Sequence, residues 1–376
     1  YSGPDADDWA QGATFTGVIL NNGDPNPVFV PPGLYERDEH WAGNSQDSTS
    51  FDGGSNVNND DISPMGDPWT VTTGSGPQKN DLTDLYANAR VFDSGGDHIW
   101  IILGAMTRTA NGNSHVDFEW NIAGFENVLE VPAFSADRAA DSYIVGLGPH
   151  AGRTANVDFI ISADFTNGGS TVETHVRQWQ WLVDHYEYVD ITDTLPAGSF
   201  FICADDSELG APVPPWGAIA PDGTPVDYPG NATPYQFAEI AVDLTAFGIN
   251  PWDLCTTEST IMFKTRSSQE FTAELKDFGL YPFPIVSTPR CVLNGPGRMC
   301  EDEWPGSVEL CGPETPNGLD YKYVWFGPAW ADSFVTTSPD SCVTISDIAD
   351  TGLYSLIVRD LTSGCWAGPC DYRLIV

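Results

Sequence analysis

The chain has 376 residues, of which 53 are acidic and 15 are basic, and its formal net charge is −38. Nucleic acids and anionic membranes bind proteins through positively charged surfaces, so this charge argues against both and makes cations the natural partners. The length exceeds the usual size of one domain, about 50 to 250 residues, and we expect more than one domain.

Several features favour a secreted protein. No segment approaches the roughly 18 consecutive apolar residues that span a bilayer. The chain starts at Tyr1 without a signal-peptide pattern, as a processed form would. Eight cysteines, none in a CxxC pair of the kind that binds zinc, favour disulfides and an oxidising compartment. We therefore expect an extracellular or cell-surface location.

The acidity is spread evenly along the chain. Residues 291–376 hold 12 acidic and 4 basic residues, a balance of −8 that leaves −30 of the total for the first 290. A localised binding site would concentrate charge, whereas an even coat with only four lysines is typical of salty or calcium-rich surroundings. The sequence leaves both surroundings open.

The N-terminal part is predicted to be rich in loops. ATFTGVIL (13–20) is its clearest strand, and residues 47–68 are predicted to form a long surface loop because they are mostly Asn, Asp, Gly and Ser. KNDLTDLYANARVF predicts one helix, which Asn80 or Asp81 could cap. Its apolar residues recur at helical spacing, at Leu82, Leu85, Tyr86 and Ala89.

The following segments alternate apolar runs with turns. HIWIILGAM (98–106) and HVDFEWN (115–121) flank an Asn-Gly pair and are predicted to form a β-hairpin. This pattern indicates an all-β fold, with an antiparallel β-sandwich or jelly roll over residues 1–285. The prolines of YPFPIVSTPRC (281–291) mark the boundary. Further strands are predicted at residues 142–148, 156–165, 173–183, 199–204, 237–244, 259–266 and 274–281.

Residues 291–376 resemble an immunoglobulin-like (Ig-like) domain. DTGLYSLIV (350–358) is similar to the D-x-G-x-Y-x-C-x-V segment of that family, and YVWF supplies the core tryptophan, Trp325, of strand C. The resemblance implies a second, smaller β-sandwich. It also implies that the hydroxyl of Tyr354 bonds back to the backbone just upstream.

The cysteines depart from the family pattern. Leu356 stands where the family has its second cysteine, and six cysteines allow fifteen pairings, among which the sequence cannot choose. The segment is similar to Ig/PKD-like repeats of secreted bacterial surface proteins, in which a cysteine before strand B faces one after strand F. That resemblance implies the pairs Cys300–Cys365, Cys311–Cys342 and Cys291–Cys370, and it leaves Cys203 with Cys255 in the first domain.

A second resemblance covers residues 78–280. The series NDLTDLYANARV, NGNSHVDFEWN, DFTNGGS, RQWQW, FAEIAVDLTAFG and KTRSSQEFTAELKDF is similar to a module of secreted bacterial surface proteins that often precedes Ig-like or adhesin-type repeats. KTRSSQEFTAELKDF is the most specific part. The resemblance implies a β-rich fold and a surface location, and it implies no catalytic residue.

HVDFEWN raises the question of catalysis. It resembles the E-x-D-x-x-E strand of laminarinase-like retaining glycosidases, which use two carboxylates about 5 to 5.5 Å apart. Here a histidine replaces the first glutamate and the last carboxylate is missing, so we expect no enzymatic activity. Alternation predicts that the apolar residues enter the core, while His115, Asp117 and Glu119 face solvent or a neighbouring strand.

Calcium is the cofactor that the sequence supports best. Hard cations bind several oxygen ligands on flexible loops, and YSGPDADDW, NVNNDDIS and FICADDSE offer such oxygens without the full EF-hand order. The candidate ligands are Asp5, Asp7, Asp8, Asp60, Asp61, Asp205 and Asp206. The acidic cluster in YERDEHW (35–41) is predicted to be a solvated loop.

Aromatic residues could bind an extracellular glycan. In RQWQW, Trp179 and Trp181 share one face of a strand, where they could stack on a sugar or belong to the core. Trp366, in CWAGPC, could contact a neighbouring subunit.

Two functions are compatible with these features. The first is a non-enzymatic structural or adhesive protein that self-assembles into a homo-oligomer, filament or layer at a bacterial surface, with its N-terminal segment able to add a strand to a neighbour's sheet. The second is a carbohydrate-binding or degenerate glycosidase-like protein that uses the face around Asp117 and Glu119. A flat, self-complementary surface would favour the first and a concave, aromatic-lined groove the second. We adopt the first as the working hypothesis.

Overall fold

The computed structural model describes most of the chain between residues 33 and 375. The described residues are 33–38, 47–54, 56–60, 69–74, 77–93, 97–108, 112–122, 125–128, 131–134, 143–144, 148–149, 156–166, 171–204, 218–219, 225–226, 237–248, 259–283, 289, 291–296, 298, 300–315, 320–330, 333–361 and 365–375. The predicted strand at 13–20 and the N-terminal segment that could pair with a neighbour lie outside these ranges.

The chain divides into two compact units. The first unit comprises Tyr1–Asn26, Pro31–Ile249 and Glu258–Ile285, and the C-terminal unit comprises Pro27–Val30, Asn250–Thr257 and Val286–Val376. The main division therefore falls within YPFPIVSTPRC.

The described part of the first unit is built from strands. They are β1 (Leu34–Arg37), β2 (Asp47–Phe51), β3 (Val71–Gly74), β4 (Leu82–Asp93), β5 (Asp97–Thr107), β6 (Ser114–Asn121), β7 (Phe125–Val128), β8 (Val131–Phe134), β9 (Tyr143–Ile144), β10 (Gly148–Pro149), β11 (Phe159–Thr166), β12 (Thr171–Trp181), β13 (Tyr186–Asp190), β14 (Phe200–Ala204), β15 (Ala218–Ile219), β16 (Pro225–Val226), β17 (Phe237–Asp243), β18 (Thr260–Arg266) and β19 (Leu275–Pro282). Short 3₁₀ helices occupy Gln78–Asn80, Thr192–Thr194 and Leu244–Phe247.

Two antiparallel sheets organise this unit. One has five strands in the order β1-β4-β5-β17-β14, and the other has eight in the order β13-β12-β11-β6-β18-β19-β2-β3. Smaller two-stranded sheets pair β7 with β8, β9 with β10, and β15 with β16. The all-β antiparallel fold predicted from the sequence is confirmed.

The two large sheets pack against each other through their apolar faces. Strict alternation puts Val116, Phe118 and Trp120 of β6 into the core, where each is at most 1% exposed. Leu85 of β4 lies so close to Gly279 of β19 that a Cβ at position 279 would collide with its methyl group. Glycine is needed there because the opposing sheet occupies the place of a side chain.

The predicted helix at 79–92 is wrong, because Leu82–Asp93 forms β4 between β1 and β5. A β-bulge separates Leu82 from Asp84 in the pairing with β5, which shifts the alternation of the strand by one residue. Leu82 is opposite Thr107 and Leu85 is opposite Ala105, which are two residues apart on β5. The bulge therefore places Leu82 and Leu85, three residues apart in sequence, on the same face of β4. Both faces of the strand are buried, so apolar residues on either face mimic helical spacing.

The predicted hairpin of β5 with β6 is also wrong. β5 pairs with β4 and β17 in the five-stranded sheet, whereas β6 pairs with β11 and β18 in the eight-stranded sheet. Gly112, with φ of 89°, lies in a connection that crosses from one sheet to the other. An Asn-Gly pair predicts a reversal of the chain, but it does not specify which sheet receives the next strand.

The described part of the C-terminal unit has six strands in two sheets. β21, β22, β24 and β25 form a four-stranded antiparallel sheet in the order β22-β21-β24-β25, and β20 pairs with β23. The bounds are β20 (Val308–Cys311), β21 (Tyr321–Phe326), β22 (Phe334–Thr337), β23 (Cys342–Ile345), β24 (Gly352–Asp360) and β25 (Trp366–Leu374), with 3₁₀ helices at Glu301–Glu303 and Ile348–Asp350.

The core of this unit is centred on Trp325, which is fully buried as the sequence predicted. The hydroxyl of Tyr354 donates to the backbone oxygen of Asp350 at 2.6 Å, the upstream bond that the Ig resemblance implied. Within the part of the chain that the structure describes, no helix has the length and apolarity needed to cross a membrane.

Candidate functional site

The polar residues of HVDFEWN lie on the side of β6 opposite the sandwich core, yet they are buried. His115 is 2% exposed, and Asp117 and Glu119 are 0% exposed. Of the two predicted environments, solvent or a neighbouring strand, the structure shows the second. Ionised groups are buried only when they are paired, and the neighbouring strands supply the partners.

Arg266, in β18, is the centre of these contacts. Its Nε donates to Asp117 Oδ2 at 2.7 Å and its Nη2 to Asp164 Oδ1 at 2.6 Å. Its Nη1 lies 2.8 to 3.1 Å from three backbone oxygens, those of Ser268, Gln269 and Glu270. The same oxygen of Asp164 lies 2.8 Å from His115 Nδ1. Every nitrogen of the guanidinium thus has an acceptor.

Lys264 makes the second set of contacts from the same strand. Its Nζ donates to Glu119 Oε2 and, at 2.7 Å, to Asn58 Oδ1. Tyr188 of β13 donates its hydroxyl to Glu119 Oε1 at 2.6 Å. Lys264 is opposite Asp117 in the strand register, so it reaches Glu119 diagonally. We call His115, Asp117, Glu119, Asp164, Lys264 and Arg266 the ionic layer.

Segments outside the sheet cover the ionic layer. Asn58 donates to Asp117 Oδ2 at 2.7 Å, and the ring of Trp69 lies 4.6 Å from Lys264 Nζ. The ring of Phe271 lies 4.3 Å from the guanidinium carbon of Arg177. Phe271 and the carbonyls around Arg266 belong to KTRSSQEFTAELKDF, the stretch the sequence marked as most specific. The part of this stretch between β18 and β19 therefore lies over the ionic layer and contributes to its burial.

The opposite charges of the ionic layer stabilise one another in their ionised forms. Burial alone would raise the pKa of the Asp117 carboxyl, but Arg266 and Lys264 outweigh it, and the pKa is lowered. Burial alone would lower the pKa of Arg266, but Asp117 and Asp164 raise it above its usual value. Both groups are therefore ionised at neutral pH. Closed into ion pairs and without exposure, Asp117 and Glu119 cannot reach a substrate in this conformation.

A second set of buried carboxylates lies in the first unit. Asp47, Asp81 and Asp277 are at most 1% exposed, and each places an oxygen within 4.8 Å of the others. Asp277 Oδ2 accepts a hydrogen bond from the backbone N–H of Leu82 at 2.6 Å. Burial raises the pKa of the Asp277 carboxyl well above its usual range, and Asp38, Asp47 and Asp81 raise it further. Oxygen ligands of this kind could hold a hard cation such as Ca²⁺, and protons would balance the charge equally well.

Most of the predicted calcium ligands lie outside the described residues, namely Asp5, Asp7, Asp8, Asp61, Asp205 and Asp206. Asp60 is described: its Oδ2 accepts from the backbone N–H of Val57 at 2.7 Å and closes a turn. In YERDEHW, the prediction of a loop is wrong for Leu34–Arg37, which form β1, and Asp38 is buried beside the carboxylate cluster.

The two tryptophans proposed for glycan binding have different environments. Trp179 is 0% exposed and packs with Ile160 and Tyr188, so it cannot stack on a ligand. Trp181, at the end of β12, is 40% exposed, with its ring 4.7 Å from that of Tyr186. The paired platform is therefore wrong, because the cover over the ionic layer extends to one tryptophan and not the other.

A shallow groove lies beside β12 and β13. Glu173, His175, Asp190 and Asp193 line it, together with one aromatic residue, Phe200. His175 Nδ1 lies 2.8 Å from Asp190 Oδ2. The groove includes neither the tryptophans nor the carboxylates of HVDFEWN, so it is not the aromatic-lined groove that carbohydrate binding would favour.

Two of the predicted disulfides are formed in the structure, Cys291–Cys370 and Cys311–Cys342. The third pair, Cys300–Cys365, is wrong: Cys300 is an exposed free thiol, whereas Cys365 is fully buried and disulfide-bonded. The sulfur of Cys365 is already bonded to another cysteine, so it is not available to Cys300. The side chain of Cys203 and all of Cys255 lie outside the described residues.

The outer side of the four-stranded sheet in the C-terminal unit is uncovered among the described residues, and we call it the open face. Large apolar side chains are exposed on it: Phe326 is 41% exposed, Val335 45%, Leu353 54% and Trp366 55%. Lys322, Arg359 and Arg373 stand among them at alternate strand positions. This face combines apolar surface with positive charge.

The sequence analysis missed the buried groups that matter most, Lys264, Arg266, Asp164 and the three clustered aspartates. One signal could have found the cations. FKTR places Lys264 and Arg266 two residues apart, on one face of a strand, in a chain with 15 basic residues. Such spacing matches the spacing of Asp117 and Glu119 in HVDFEWN. No comparable local signal brings Asp47, Asp81 and Asp277 together.

No protein-family model and no curated protein matches this chain. The fold and the contacts described above are therefore the basis for a functional proposal.

Proposed function

We propose that this protein is a non-enzymatic structural or adhesive subunit, located outside the cell or at its surface, that assembles with copies of itself. The open face is the observation that carries the proposal. Contiguous exposed apolar surface on a soluble domain marks an interaction site, whereas apolar residues scattered singly need no explanation. Phe326, Val335, Leu353 and Trp366 share one sheet face of the C-terminal unit.

The ionic layer supports the non-enzymatic part of the proposal. The residues most similar to a glycosidase strand, Asp117 and Glu119, are used by Arg266 and Lys264 to hold a covered sheet together. The disulfides of the C-terminal unit support an oxidising, extracellular setting, since disulfides persist there.

A second candidate, carbohydrate binding, has one specific observation in its favour. The exposed indole of Trp181 is tilted against the ring of Tyr186 at the β12–β13 hairpin, and exposed aromatic rings can stack on sugars. Trp181→Ala, compared with wild type on a glycan array, would test this candidate: loss of a signal supports it.

The test of assembly is analytical ultracentrifugation and negative-stain electron microscopy of the native protein over a range of concentrations. Each sample is measured with calcium and again after chelation. Ordered filaments, layers or defined oligomers are expected. Loss of order on chelation would show that a cation balances the acidic groups. Discrete monomers under both conditions would contradict the proposal.

A further inference from the structure

We propose that the open face docks onto the acidic first unit of a second copy of this chain. The inference rests on the proposed function and specifies the surfaces through which copies associate. It starts from the unequal distribution of cations over the C-terminal unit.

The strand register defines the layout of the open face. Val335, Val324 and Ile357 form a central apolar row across β22, β21 and β24. Beside that row, Lys322 of β21 lies opposite Arg359 of β24 in the strand register, and Arg359 lies opposite Trp366 of β25. The sheet thus presents two cations and an exposed indole next to an apolar strip.

The other side of the apolar row is similar in composition. Phe326 of β21 pairs with Ser355 of β24, and Leu353 of β24 pairs with Arg373 of β25. Asp371 is exposed on this side and accepts a hydrogen bond from Ser355 at 2.6 Å. The face therefore has an apolar centre and a rim of three cations and one carboxylate.

These cations are a large share of those available. Residues 291–376 contain four basic residues, and three of them, Lys322, Arg359 and Arg373, are on the open face. The fourth, Arg298, forms a parallel β-bridge with Ile375, next to the end of β25. A uniform acidic coat would scatter its few cations, so their concentration on one apolar face indicates a partner surface of opposite charge.

The chain itself provides such a surface. The first 290 residues have a charge balance of −30. Several of their cations do not reach the surface: Lys264 and Arg266 are fully buried and Arg177 is 8% exposed. More carboxylates than cations are buried among the described residues of this unit, but the large acidic excess of its composition leaves its solvent-facing surface strongly negative. A second copy is a partner with the required charge, and it is present at the same concentration as the protein.

Contact between two open faces is less favourable. A two-fold contact places the same patch on both sides, so it would bring two net positive rims together. Docking of an open face onto a first unit joins unlike surfaces. Such a heterologous contact leaves a free open face and a free first unit at the two ends, and it continues into a chain or closes into a ring.

The experiment compares two single charge reversals in the full-length protein. Arg359→Glu changes the open face, and Lys276→Glu makes the same change in net charge in β19 of the first unit. Assembly is followed by sedimentation at about 0.15 M salt, where charges separated by more than about 8 Å are screened. Arg359→Glu should raise the concentration needed for assembly at least about tenfold, whereas Lys276→Glu, which adds negative charge to the unit that acts as partner, should not raise it.

Three outcomes are distinguishable. If the wild type assembles and both variants match it, the docking inference is overturned and the proposed function stands. If the wild type remains monomeric, the proposed function fails and the inference fails with it. If folding is in doubt, circular dichroism and the unfolding midpoint identify a misfolded variant, and the neutral change Arg359→Gln then replaces Arg359→Glu.

A mixing experiment identifies the partner surface. The double variant Lys322→Glu with Arg359→Glu keeps an intact first unit but has a defective open face. In heterologous docking it binds to a growing end and blocks further addition, so one part in ten should shorten wild-type assemblies. Unchanged length would mean that faces pair with each other, which overturns the assignment of the first unit as partner.

Discussion

Two strands with alternating patterns differ in whether their second face is covered. HVDFEWN in β6 and YKYVWF in β21 both bury every second residue, a large apolar or aromatic one, in a core. The second face of β6 is closed over and carries an ionic layer, whereas the second face of β21 remains open. Alternation identifies one buried face and does not tell what covers the other.

The difference also decides where the few cations of the chain are used. In the first unit, Lys264 and Arg266 neutralise buried carboxylates and are withdrawn from the surface. In the C-terminal unit, Lys322 and Arg359 remain at the surface beside apolar residues. Because the chain has only 15 basic residues, this allocation makes the open face electrostatically complementary to the acidic first unit, although both units are acidic overall.

The largest expected effect comes from making the same type of substitution, arginine to methionine, in the ionic layer and on the open face. Arg266→Met should lower the free energy of unfolding by about 3–5 kcal/mol, because Asp117 and Asp164 would be left buried without their cation. The matched change Arg359→Met should stay within about 0.5 kcal/mol. Urea unfolding followed by tryptophan fluorescence measures both. Equal effects would break the contrast between the two faces.

Removing one hydroxyl from each unit compares a charged with a neutral acceptor. Tyr188→Phe deletes a hydrogen bond to the carboxylate of Glu119, and a loss of about 1.5–3 kcal/mol is expected. Tyr354→Phe deletes a bond to the backbone oxygen of Asp350, and a loss of about 0.5–1.5 kcal/mol is expected. Calorimetry of the whole chain can assign each loss to a unit. A larger loss for Tyr354→Phe would contradict the charged character of the layer.

The buried aspartate cluster should give the stability an unusual pH dependence. The raised pKa of Asp277 means that the folded state holds a proton which the unfolded state, with a pKa of about 3.9, has released. That stabilisation is complete below the unfolded pKa and is lost as the pH rises through the folded pKa. The local slope is at most about 1.4 kcal/mol per pH unit for one proton.

Asp277→Asn should remove this slope, and Asp371→Asn, on the open face, should not. Unfolding free energies of the three proteins from pH 4 upward measure the difference, with and without calcium. If calcium stabilises the wild type and not Asp277→Asn, the cation replaces the proton. A wild-type profile parallel to that of Asp277→Asn would show that the carboxyl titrates normally.

The smallest expected effect concerns the apolar part of the open face. Val335→Ser should change the free energy of unfolding by less than about 0.5 kcal/mol, because the side chain is already 45% exposed. It should nevertheless weaken assembly, since its contact would be made only with a partner. Sedimentation and urea unfolding of the same sample separate the two effects. A loss of stability without a loss of assembly would assign Val335 to the fold.

Much of the fold could be predicted because strands leave a period of two in the sequence. The predicted strands at 156–165, 237–244 and 259–266 agree with β11, β17 and β18 to within a few residues. The pattern failed at β4, where a bulge and burial on both faces imitate a helix. It also failed at the Asn-Gly pair after β5, because such a pair predicts a local reversal and not the sheet that the next strand joins.

The candidate sites were less predictable than the strands. The pairs Cys291–Cys370 and Cys311–Cys342 came from a resemblance, and Cys300–Cys365 shows that a resemblance can mislead at one pair while it succeeds at others. The ionic layer depends on contacts 100 or more residues apart, such as Arg266 with Asp164. A local window of sequence contains only one side of such a contact.

The sequence by itself determined that this chain is acidic, all-β in its pattern, and equipped with alternating strands whose apolar sides form cores. Those properties are local or additive, so they can be seen without a structure. Only the tertiary structure decided which polar faces are covered, which cations are buried, and which sheet retains an open face. Burial of a charge depends on what packs over it, and here the cover is supplied by segments far away in the chain.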